Sequence, residues 1–475
     1  MSSETANWDS NPAGMMRVYQ GLGYGLGHSI ADLVDNGIDE GAKNVEILIH
    51  DGDSEDDLFI AIFDNGMGIP EKKFDKIMNL GYSTKSDATK LGIFGVGLKL
   101  SSLSQADEVT IVSKHENNTP SIRRISAPYI YKHNENKILK YPVSKTDGSN
   151  SSAYEFCYQK MLNEDWSTFV LLECVHSART FVAVNDRYKT SLSKEVKNVM
   201  IHLGLTFHRI LENGIAKISL GNGKSKKDIL PLNPAMPLED DLDFGTVSSN
   251  HQTIAYDYNN VQLNVKVEYV ILPHTDTIKN RSSLQINKGY KLANDMQGLY
   301  IYRNDRLIQY GNWQGMHNRN DEHAKLGKIF IDIPPDHTRL FGLNPTKTEV
   351  QLPREFLRRL LDDSKKERRW GNIKNGRKMP FFVASDYRYR NDGKDYKKRK
   401  LQNDGLNTTN SEKHGTQKQI SDPKSRVRER KKKLKPKKII TSIEEDNETL
   451  IIEFLGTREE RLNFIESIKE WRTNG

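Results

Sequence analysis

The first half of the chain alternates between helical and strand-like spacing of its apolar residues. Residues 28–41 have an apolar residue at every third or fourth position, which predicts an amphipathic helix. Short apolar runs bounded by polar or glycine-containing turns predict strands. The predicted strands are 45–50, 58–63, 109–113 and 169–175, and a second helix is predicted at 70–80. Helices interleaved with paired strands favour an α+β sandwich over a doubly wound parallel sheet.

The second half begins with another helical pattern and then returns to strand-like segments. The predicted helix is 196–211, and the predicted strands are 216–220, 261–270, 299–303 and 328–333. This order predicts a second α+β domain that ends near Pro353. A short helix is predicted to follow at 354–367.

The C-terminal part of the chain differs in composition from the rest. It first has few aliphatic and many charged residues, so it cannot bury enough apolar surface to fold and is predicted to be disordered. From Ile443 to Arg472 apolar residues return at helical spacing and predict a helical hairpin or a partner-binding helix. The predicted parts are a first domain at 1–200, a second at 201–353, a connecting helix at 354–370, a basic disordered linker at 371–440 and a helical segment at 441–475.

Composition limits the classes of protein to which the chain could belong. The 475 residues carry a net charge of +8, concentrated near the C-terminus. Two cysteines, Cys157 and Cys174, give neither a disulfide framework nor zinc-ligand spacing. No apolar run approaches the ~20 residues of a membrane span, and the N-terminus lacks a signal pattern. We therefore expect a protein outside the membrane that is not secreted, cytoplasmic if bacterial and nuclear if eukaryotic.

Three short motifs carry the candidate chemistry. Asp32 and Asn36 are four residues apart in the first predicted helix, so a carboxylate and an amide oxygen share one face. Asp64 begins a glycine-broken turn directly after an apolar strand. Residues 92–97 form a glycine-rich loop, whose backbone N–H groups can approach phosphate. Together the three motifs indicate an ATP site.

Other nucleotide and catalytic motifs are excluded by spacing. A P-loop requires adjacent Gly-Lys followed by Ser or Thr, and Gly97-Leu98-Lys99-Leu100 breaks that pattern. The dinucleotide fingerprint also fails, because the glycines of 21–27 fall at every second position and predict a flexible turn. The chain has no His or Cys pair with zinc spacing and no Gly-x-Ser-x-Gly elbow.

The three motifs, in this order, resemble the GHKL ATPase superfamily. That superfamily includes DNA gyrase, the MutL mismatch-repair proteins, the ninety-kilodalton heat-shock chaperones, sensor histidine kinases and the microrchidia (MORC) ATPases. The resemblance covers about 20–115, and the segment around Asp32 is most similar to MORC proteins and their bacterial relatives. It implies a GHKL-type α/β sandwich followed by a transducer-like, S5-like domain, with ATP and Mg²⁺ as ligands.

The resemblance also implies roles for individual residues. Asp32 would be the general base, Asn36 would hold Mg²⁺ through its amide oxygen, and Asp64 would accept a hydrogen bond from the adenine amino group. Residues 343–350 resemble the MutL segment whose lysine reaches the γ-phosphate, so Lys347 is the second catalytic candidate. The other nucleotide-binding candidates are Gly66, Gly68, Thr84, Lys85, Gly92, Gly95, Gly97, Lys99 and Thr168.

Position 32 departs from the pattern of most relatives. Gyrase, MutL and most MORC proteins have Glu there, whereas Asp32 is one methylene shorter. Proton abstraction needs a contact of ~2.6–3.2 Å or a bridging water, so hydrolysis is predicted to be slow. Asp35 lies one step off the face of Asp32 and Asn36, and is expected to be a solvated or helix-end acid.

The implied function is an ATP-dependent homodimer that clamps or remodels DNA, with a role in genome defence or silencing suggested by the MORC resemblance. A second hypothesis is a nucleotide-gated scaffold with little hydrolysis, which recruits an effector protein such as a nuclease through the C-terminal helix. A sensor histidine kinase is disfavoured, because no helix with a phospho-accepting histidine is predicted before residue 28.

The basic run from Lys424 to Lys438 predicts a salt-dependent attraction to DNA phosphates, with a solvated linker as the alternative. Deleting residues 424–438 is expected to weaken retention of duplex DNA most at low salt, where screening is least. Filter binding over a range of salt concentrations measures the effect. Unchanged retention would exclude the segment from DNA binding.

Overall fold

The chain divides into two units, residues 1–403 and 404–475. The structure is a computed structural model. It describes residues 11–50, 58–79, 81–82, 90–91, 97–116, 119–141, 152–176, 188–235, 247–258, 261–274, 296–317, 323–344, 347, 349–371, 373–392, 394, 398, 438–445 and 448–455.

An eight-stranded mixed sheet forms the centre of the first domain. Its order is β5-β4-β3-β6-β2-β1-β7-β8, and neighbouring strands are antiparallel except for the parallel pair β1 and β7. The strands are β1 (Asn44–His50), β2 (Phe59–Asp64), β3 (Ala106–Ser113), β4 (Ser121–Ser126), β5 (Leu139–Tyr141), β6 (Thr168–Val175), β7 (Lys217–Gly221) and β8 (Lys226–Asp228).

Both faces of this sheet are apolar, so helices cover both of them. In β2, Ile60 and Ile62 face one core, whereas Phe59, Ala61 and Phe63 face the other, as the two-residue period of a strand requires. The described helices are α1 (Pro12–Gln20), α2 (Leu26–Asp39), α3 (Glu71–Met78), α4 (Gly97–Leu103), α5 (Ala127–His133), α6 (Ser152–Asn163), α7 (Tyr188–Thr206) and α8 (His208–Glu212). Helix α6 packs in the core of Phe63, and the others pack in the core of Ile60. The predicted α+β sandwich is confirmed.

The second domain is built on a five-stranded sheet with order β12-β11-β13-β10-β9. Strands β11 and β13 are parallel, and the other pairs are antiparallel. The strands are β9 (Ser248–Tyr258), β10 (Val261–Ile271), β11 (Gly298–Arg303), β12 (Arg306–Gly311) and β13 (Gly327–Asp332), and helix α9 (Arg354–Ser364) packs against the core they form.

The boundary between the domains lies later than residue 200. The sequence assigned the strand at 216–220 to the second domain, but β7 pairs in parallel with β1 and completes the first sheet. Ile218 and Leu220 are buried in the core beneath β1. A run of five alternating residues indicates a strand, but it does not show which sheet has a free edge for that strand.

The second domain also extends beyond Pro353. Helix α9 buries Phe356 and Leu360 completely, so it is part of the core and not a connector. Residues 381–392, predicted as disordered linker, form a helix, α10, that buries Phe381 and Ala384 in the same core. These few apolar residues could not be recognised as core residues from the sequence, because charged residues surround them.

The C-terminal segment contains a β-hairpin where a helix was predicted. Strands β14 (Lys438–Glu445) and β15 (Glu448–Leu455) pair antiparallel in register, with two residues between Glu445 and Glu448. Ile439, Ile440, Thr441 and Ile443 in β14 and Thr449, Ile451 and Ile452 in β15 are β-branched, and β-branched residues favour strands over helices. The rest of the predicted helix lies outside the described residues.

Among the described residues, no helix combines the length and apolar character needed to cross a bilayer.

The placement of α10 can be tested at Phe381. Its ring contacts Tyr269, Trp370 and Trp313, with centroids 5.3, 5.7 and 6.2 Å away. Phe381→Ala is expected to lower the free energy of unfolding by about 3–5 kcal/mol, because it leaves a cavity in the core. Val383→Ala is the matched control on the same helix, since Val383 is 54% exposed. Chemical denaturation measures both, and equal stability of the two variants would contradict the placement.

Candidate functional site

Helix α2 presents three different surfaces to its surroundings. Ile30, Leu33 and Val34 face the sheet and are at most 3% exposed. A row of acids faces the second domain, and Asn36 and Glu40 face a cavity. The helix ends because Gly41, at φ +84°, takes a left-handed conformation that stops the helical turn. One helix therefore connects the core, the second domain and the cavity.

Two acids of α2 are ion-paired with two cations of the second domain. The Arg306 guanidinium donates to Asp32 Oδ1 at 3.0 Å, and its Nε lies 2.9 Å from Asp35 Oδ2. Lys347 Nζ donates to Asp35 Oδ2 at 2.6 Å and lies 3.6 Å from Asp32 Oδ1. All four side chains are at most 6% exposed. We call these four residues the charge cluster.

Asp35 is therefore not the solvated acid that the sequence predicted. It is fully buried, three residues after Asp32 on the side of α2 that faces Arg306 and Lys347. Spacing of three residues on a helix makes side chains neighbours, and this was the available signal. The partners themselves could not be found from the spacing, because they are hundreds of positions away in the sequence.

The electrostatic environment of Asp32 is set by opposing influences. Burial raises the pKa of Asp32, whereas the positive charges of Lys347 and Arg306 lower it, and the neighbouring Asp35 raises it again. The Tyr24 hydroxyl also donates to Asp32 Oδ2 at 3.3 Å. A carboxyl group with a raised pKa is a better proton acceptor, as general-base catalysis requires.

Gly97, the last residue of the glycine-rich loop, lies beside the charge cluster, whereas Lys90 and Leu91, which precede the loop, contact Arg303. A Cβ at Gly97 would be 3.8 Å from Asp32 Oδ2. Before the loop, Arg303 donates to the carbonyl oxygens of Lys90 and Leu91 at 2.5 and 3.4 Å. Leu91 N–H in turn donates to Asp39 Oδ1 at 2.6 Å. The second domain thus contacts α2 through Arg306 and the residues before the loop through Arg303.

A cavity of about 60 Å³ lies at the face of α2 that carries Leu33, Asn36 and Glu40. It is apolar on most of its surface, with a few polar groups, as is typical of ligand sites. Four predicted site residues line it together, namely Asn36, Asp64, Gly68 and Thr168, with Leu33, Glu40, Ile62, Ile69, Leu98, Ile111 and Val170.

Asn36 fits the proposed magnesium role by the chemistry and direction of its amide. Its Nδ2 donates to the Asp32 backbone oxygen at 2.9 Å, which fixes the plane of the side chain. An amide oxygen is a ligand that Mg²⁺ accepts, and Mg²⁺ is usually held by one or two protein oxygens together with substrate phosphates. The Asn36 oxygen would be the protein ligand of this kind.

Asp64 lies at the end of β2 in a desolvated environment. Burial raises its pKa to about 6, although the Gly66 N–H donates to Oδ1 at 2.9 Å and opposes the shift. Helix α2 approaches it closely, because a Cβ at Gly37 would be 2.8 Å from Asp64 Cβ. A partly shielded carboxylate of this kind is suited to accept a hydrogen bond from an amino group of a ligand.

Thr168 and Gly68 have clear structural partners at the cavity. Thr168 Oγ1 is 2.8 Å from Ser113 Oγ, which accepts the Ile69 N–H at 2.8 Å. Gly68 has φ +71°, and a Cβ there would be 2.0 Å from the Lys114 carbonyl oxygen. Glycine is therefore required at position 68 by the close approach of β3, independently of any ligand.

The other predicted phosphate contacts are only partly described. Lys99 is 4% exposed, and its Nζ donates to the Ile77 carbonyl at 2.8 Å, away from the charge cluster. Its phosphate role stays a prediction, as does the role of Gly66 beneath the adenine base. Thr84, Lys85, Gly92 and Gly95 lie outside the described residues.

Comparison with known proteins supports the ATP-site interpretation. Residues 24–156 match the family model described as histidine kinase-, DNA gyrase B-, and HSP90-like ATPase. This range includes α2, Asp64 and the glycine-rich loop. The matched part of the chain is therefore similar to the ATPase domains of the GHKL superfamily, as the three motifs predicted.

Curated relatives match the same part of the chain. The mismatch repair endonuclease PMS2 of Gallus gallus is 30% identical over 132 residues, 27% of this chain and 14% of that protein. Protein MICRORCHIDIA 1 of Arabidopsis thaliana is 30% identical over 146 residues, 30% of this chain and 22% of that protein. The chain spans less than a quarter of either relative. The predicted resemblance to MORC and MutL-type proteins is confirmed.

One solved structure, the crystal structure of the N terminal domain of a DNA repair protein, aligns with a TM-score of 0.43 and 16% sequence identity. The alignment covers 73% of this chain and 94% of that chain.

Asp64→Asn is expected to affect the stability of the first domain and nucleotide binding in opposite directions. Because burial raises the pKa of Asp64 above the ~3.9 of an unfolded chain, its ionisation between about pH 4 and 6 destabilises the folded protein. The variant is therefore expected to be more stable than the wild type at pH 8 by about 1–3 kcal/mol, with no difference near pH 4. It is also expected to lose ATP binding, which calorimetry measures.

Asp75→Asn is the matched control with the opposite sign. A hydrogen bond from Lys140, together with one from Arg123, lowers the pKa of Asp75, so its ionised form stabilises the fold above the unfolded pKa. The variant is expected to melt at a lower temperature than the wild type at pH 8 and to keep ATP binding. Normal ATP affinity of Asp64→Asn would contradict the adenine role of Asp64.

Proposed function

We propose that the protein binds Mg-ATP in the cavity beside α2 and hydrolyses it slowly, using Asp32 as general base and Lys347 as the cation for the terminal phosphate. The observation that carries this proposal is the position of Lys347. A lysine from the second domain lies 3.6 Å from Asp32 on helix α2, and Asn36 of the same helix lines the cavity together with Asp64 and Thr168. The family match of residues 24–156 supports the same proposal.

Each residue then has a distinct task in the reaction. Asp64 accepts a hydrogen bond from the adenine amino group and so fixes the orientation of the base. Asp32, whose pKa burial raises, takes a proton from the attacking water. Lys347 stabilises the negative charge on the transferring phosphoryl group. Asn36 would hold magnesium, which would supply positive charge to the phosphates.

The slow rate follows from the state of Asp32 in this structure. Its Oδ1 accepts a hydrogen bond from Arg306 at 3.0 Å, and its Oδ2 one from Tyr24 at 3.3 Å. The short side chain must release or share these partners before it contacts a water. Hydrolysis is therefore expected to follow a rearrangement between the second domain and α2, which makes it a conformationally gated reaction.

The wider proposal is an ATP-dependent homodimer that clamps or remodels DNA. The similarity to MICRORCHIDIA 1 and to a mismatch repair endonuclease supports it, as does the basic run from Lys424 to Lys438. A role in genome defence or silencing belongs to the same proposal. The protein would then act with DNA in the bacterial cytoplasm or the eukaryotic nucleus.

The second candidate is a nucleotide-gated scaffold that hydrolyses little ATP. The ion pairs that occupy Asp32 favour it, because a base engaged by Arg306 is withheld from water. In that case the C-terminal unit would recruit an effector protein such as a nuclease.

Steady-state release of phosphate from Mg-ATP, with and without duplex DNA, distinguishes the two candidates. Asp32→Ala is expected to reduce turnover at least about 100-fold, as loss of a general base does. Lys347→Ala is expected to keep ATP binding and to slow turnover about 100-fold, because charge stabilisation is lost in the transition state. DNA is expected to stimulate the wild type.

Lys217→Ala is the matched lysine control, since Lys217 is 64% exposed and pairs with Asp228 on the surface. It is expected to turn over like the wild type. ATP binding without Asp32-dependent turnover would favour the scaffold. Normal hydrolysis by Lys347→Ala would contradict the proposed role of the second domain.

A further inference from the structure

Asp35 is a buried charge that the proposed reaction does not use. It is completely buried, and its Oδ1 has no hydrogen-bond partner among the described residues. A buried carboxylate with one unsatisfied oxygen costs free energy unless nearby cations compensate. The free-energy cost of burying Asp35 is therefore offset by its cationic neighbours.

Lys347 is the nearer of its two closest cations. The Lys347 amine is 2.6 Å from Asp35 Oδ2, but 3.6 Å from Asp32 Oδ1. Its backbone is held at φ +50°, a left-handed conformation that is unfavourable for a lysine, and its N–H donates to the Asn344 carbonyl at 3.0 Å. The loop thus holds the amine over α2, and Asp35 is the acid that receives it.

Arg306 is the cation that pairs with Asp32. It donates to Asp32 Oδ1, whereas its Nε lies 2.9 Å from Asp35 but has no aligned hydrogen bond. The pairs are therefore Arg306 with Asp32 and Lys347 with Asp35. Two acids and two cations balance in charge, so an incoming phosphate must compete with a carboxylate for Lys347.

We propose that Asp35 is the counter-ion of Lys347 in the nucleotide-free protein, and that the terminal phosphate of ATP displaces it. The inference rests on the proposed function, because it needs a nucleotide phosphate to reach Lys347. Asp35 is a positioning residue that keeps Lys347 beside the site. It also lowers the affinity for ATP, because the Lys347–Asp35 pair must break before Lys347 binds the phosphate. ADP, which lacks that phosphate, leaves the pair intact.

The expected signature is a gain in affinity for ATP that depends on Lys347. Asp35→Asn removes the competing charge and leaves the cluster with an excess positive charge. The variant is expected to bind a non-hydrolysable ATP analogue about tenfold more tightly, equivalent to about 1.4 kcal/mol, and ADP as the wild type does. Its turnover is expected to fall several-fold, because Lys347 is no longer held. A purely structural role would weaken both ligands together.

A double-mutant cycle with Lys347→Ala tests the coupling. In the wild-type background, Lys347→Ala is expected to change ATP-analogue affinity by less than about twofold, because the phosphate contact and the lost Asp35 contact offset each other. In the Asp35→Asn background the same change is expected to lose the tenfold gain. Asp39→Asn is the matched control on the same helix. It is expected to keep the wild-type ratio of ATP-analogue to ADP affinity, because the Asp39 carboxylate accepts the Leu91 N–H.

Each outcome has a defined meaning. The inference is overturned if Asp35→Asn gains ATP affinity even without Lys347, or if it loses affinity for both ligands equally. Either result leaves the proposed function intact. A tenfold loss of ATP-analogue affinity in Lys347→Ala alone also overturns it, and this measurement needs no change at Asp35. Asp35→Ala replaces the asparagine variant if the latter does not fold. A wild-type protein that binds neither ligand contradicts the proposed function itself.

Discussion

The buried charge cluster is the interaction on which the relation between the two domains depends. Asp32 and Asp35 are carried by the first domain, and Arg306 and Lys347 by the second, so these charges are buried and compensated only where the two domains are in contact. Breaking such a pair by removing one partner costs about 3–5 kcal/mol, whereas the intact pair contributes little net stability. The cluster therefore determines the relative position of the two domains more than it adds to their stability. A bound nucleotide phosphate would change its charge balance directly.

The chemical site is assembled from elements that serve the fold as well. Helix α2 is fixed to the sheet by its apolar face, and Gly37 lets it approach Asp64. The β11–β12 turn then places Arg303 at the residues before the glycine-rich loop and Arg306 at Asp32. This turn passes through Asn304 and Asp305, both with positive φ, as the tight twist of a two-residue hairpin demands. A single turn of the second domain therefore contacts both the reacting acid and the residues before the loop.

The sequence predicted the local features well and the long-range features poorly. Periodicity located α2, the strands around it and the shared face of Asp32 and Asn36, because these depend on residues a few positions apart. It did not reveal the burial of Asp35, because its partners Arg306 and Lys347 are distant in sequence. It also missed the core helix α10, whose few anchors, such as Phe381, lie among charged residues. Resemblance to a family supplied Lys347 as a candidate, and the structure brings it near Asp32.

The parallel pairing of β7 with β1 has a consequence for how the protein is made. A parallel neighbour cannot follow by a short turn, and here it arrives after α7 and α8. During synthesis, the edge of β1 stays unpaired until residue 221 has left the ribosome, and an unpaired apolar edge is a template for aggregation. Fragments that stop near residue 200 would carry this defect permanently. The first domain is therefore complete only when its last strands have formed, and it ends after β8.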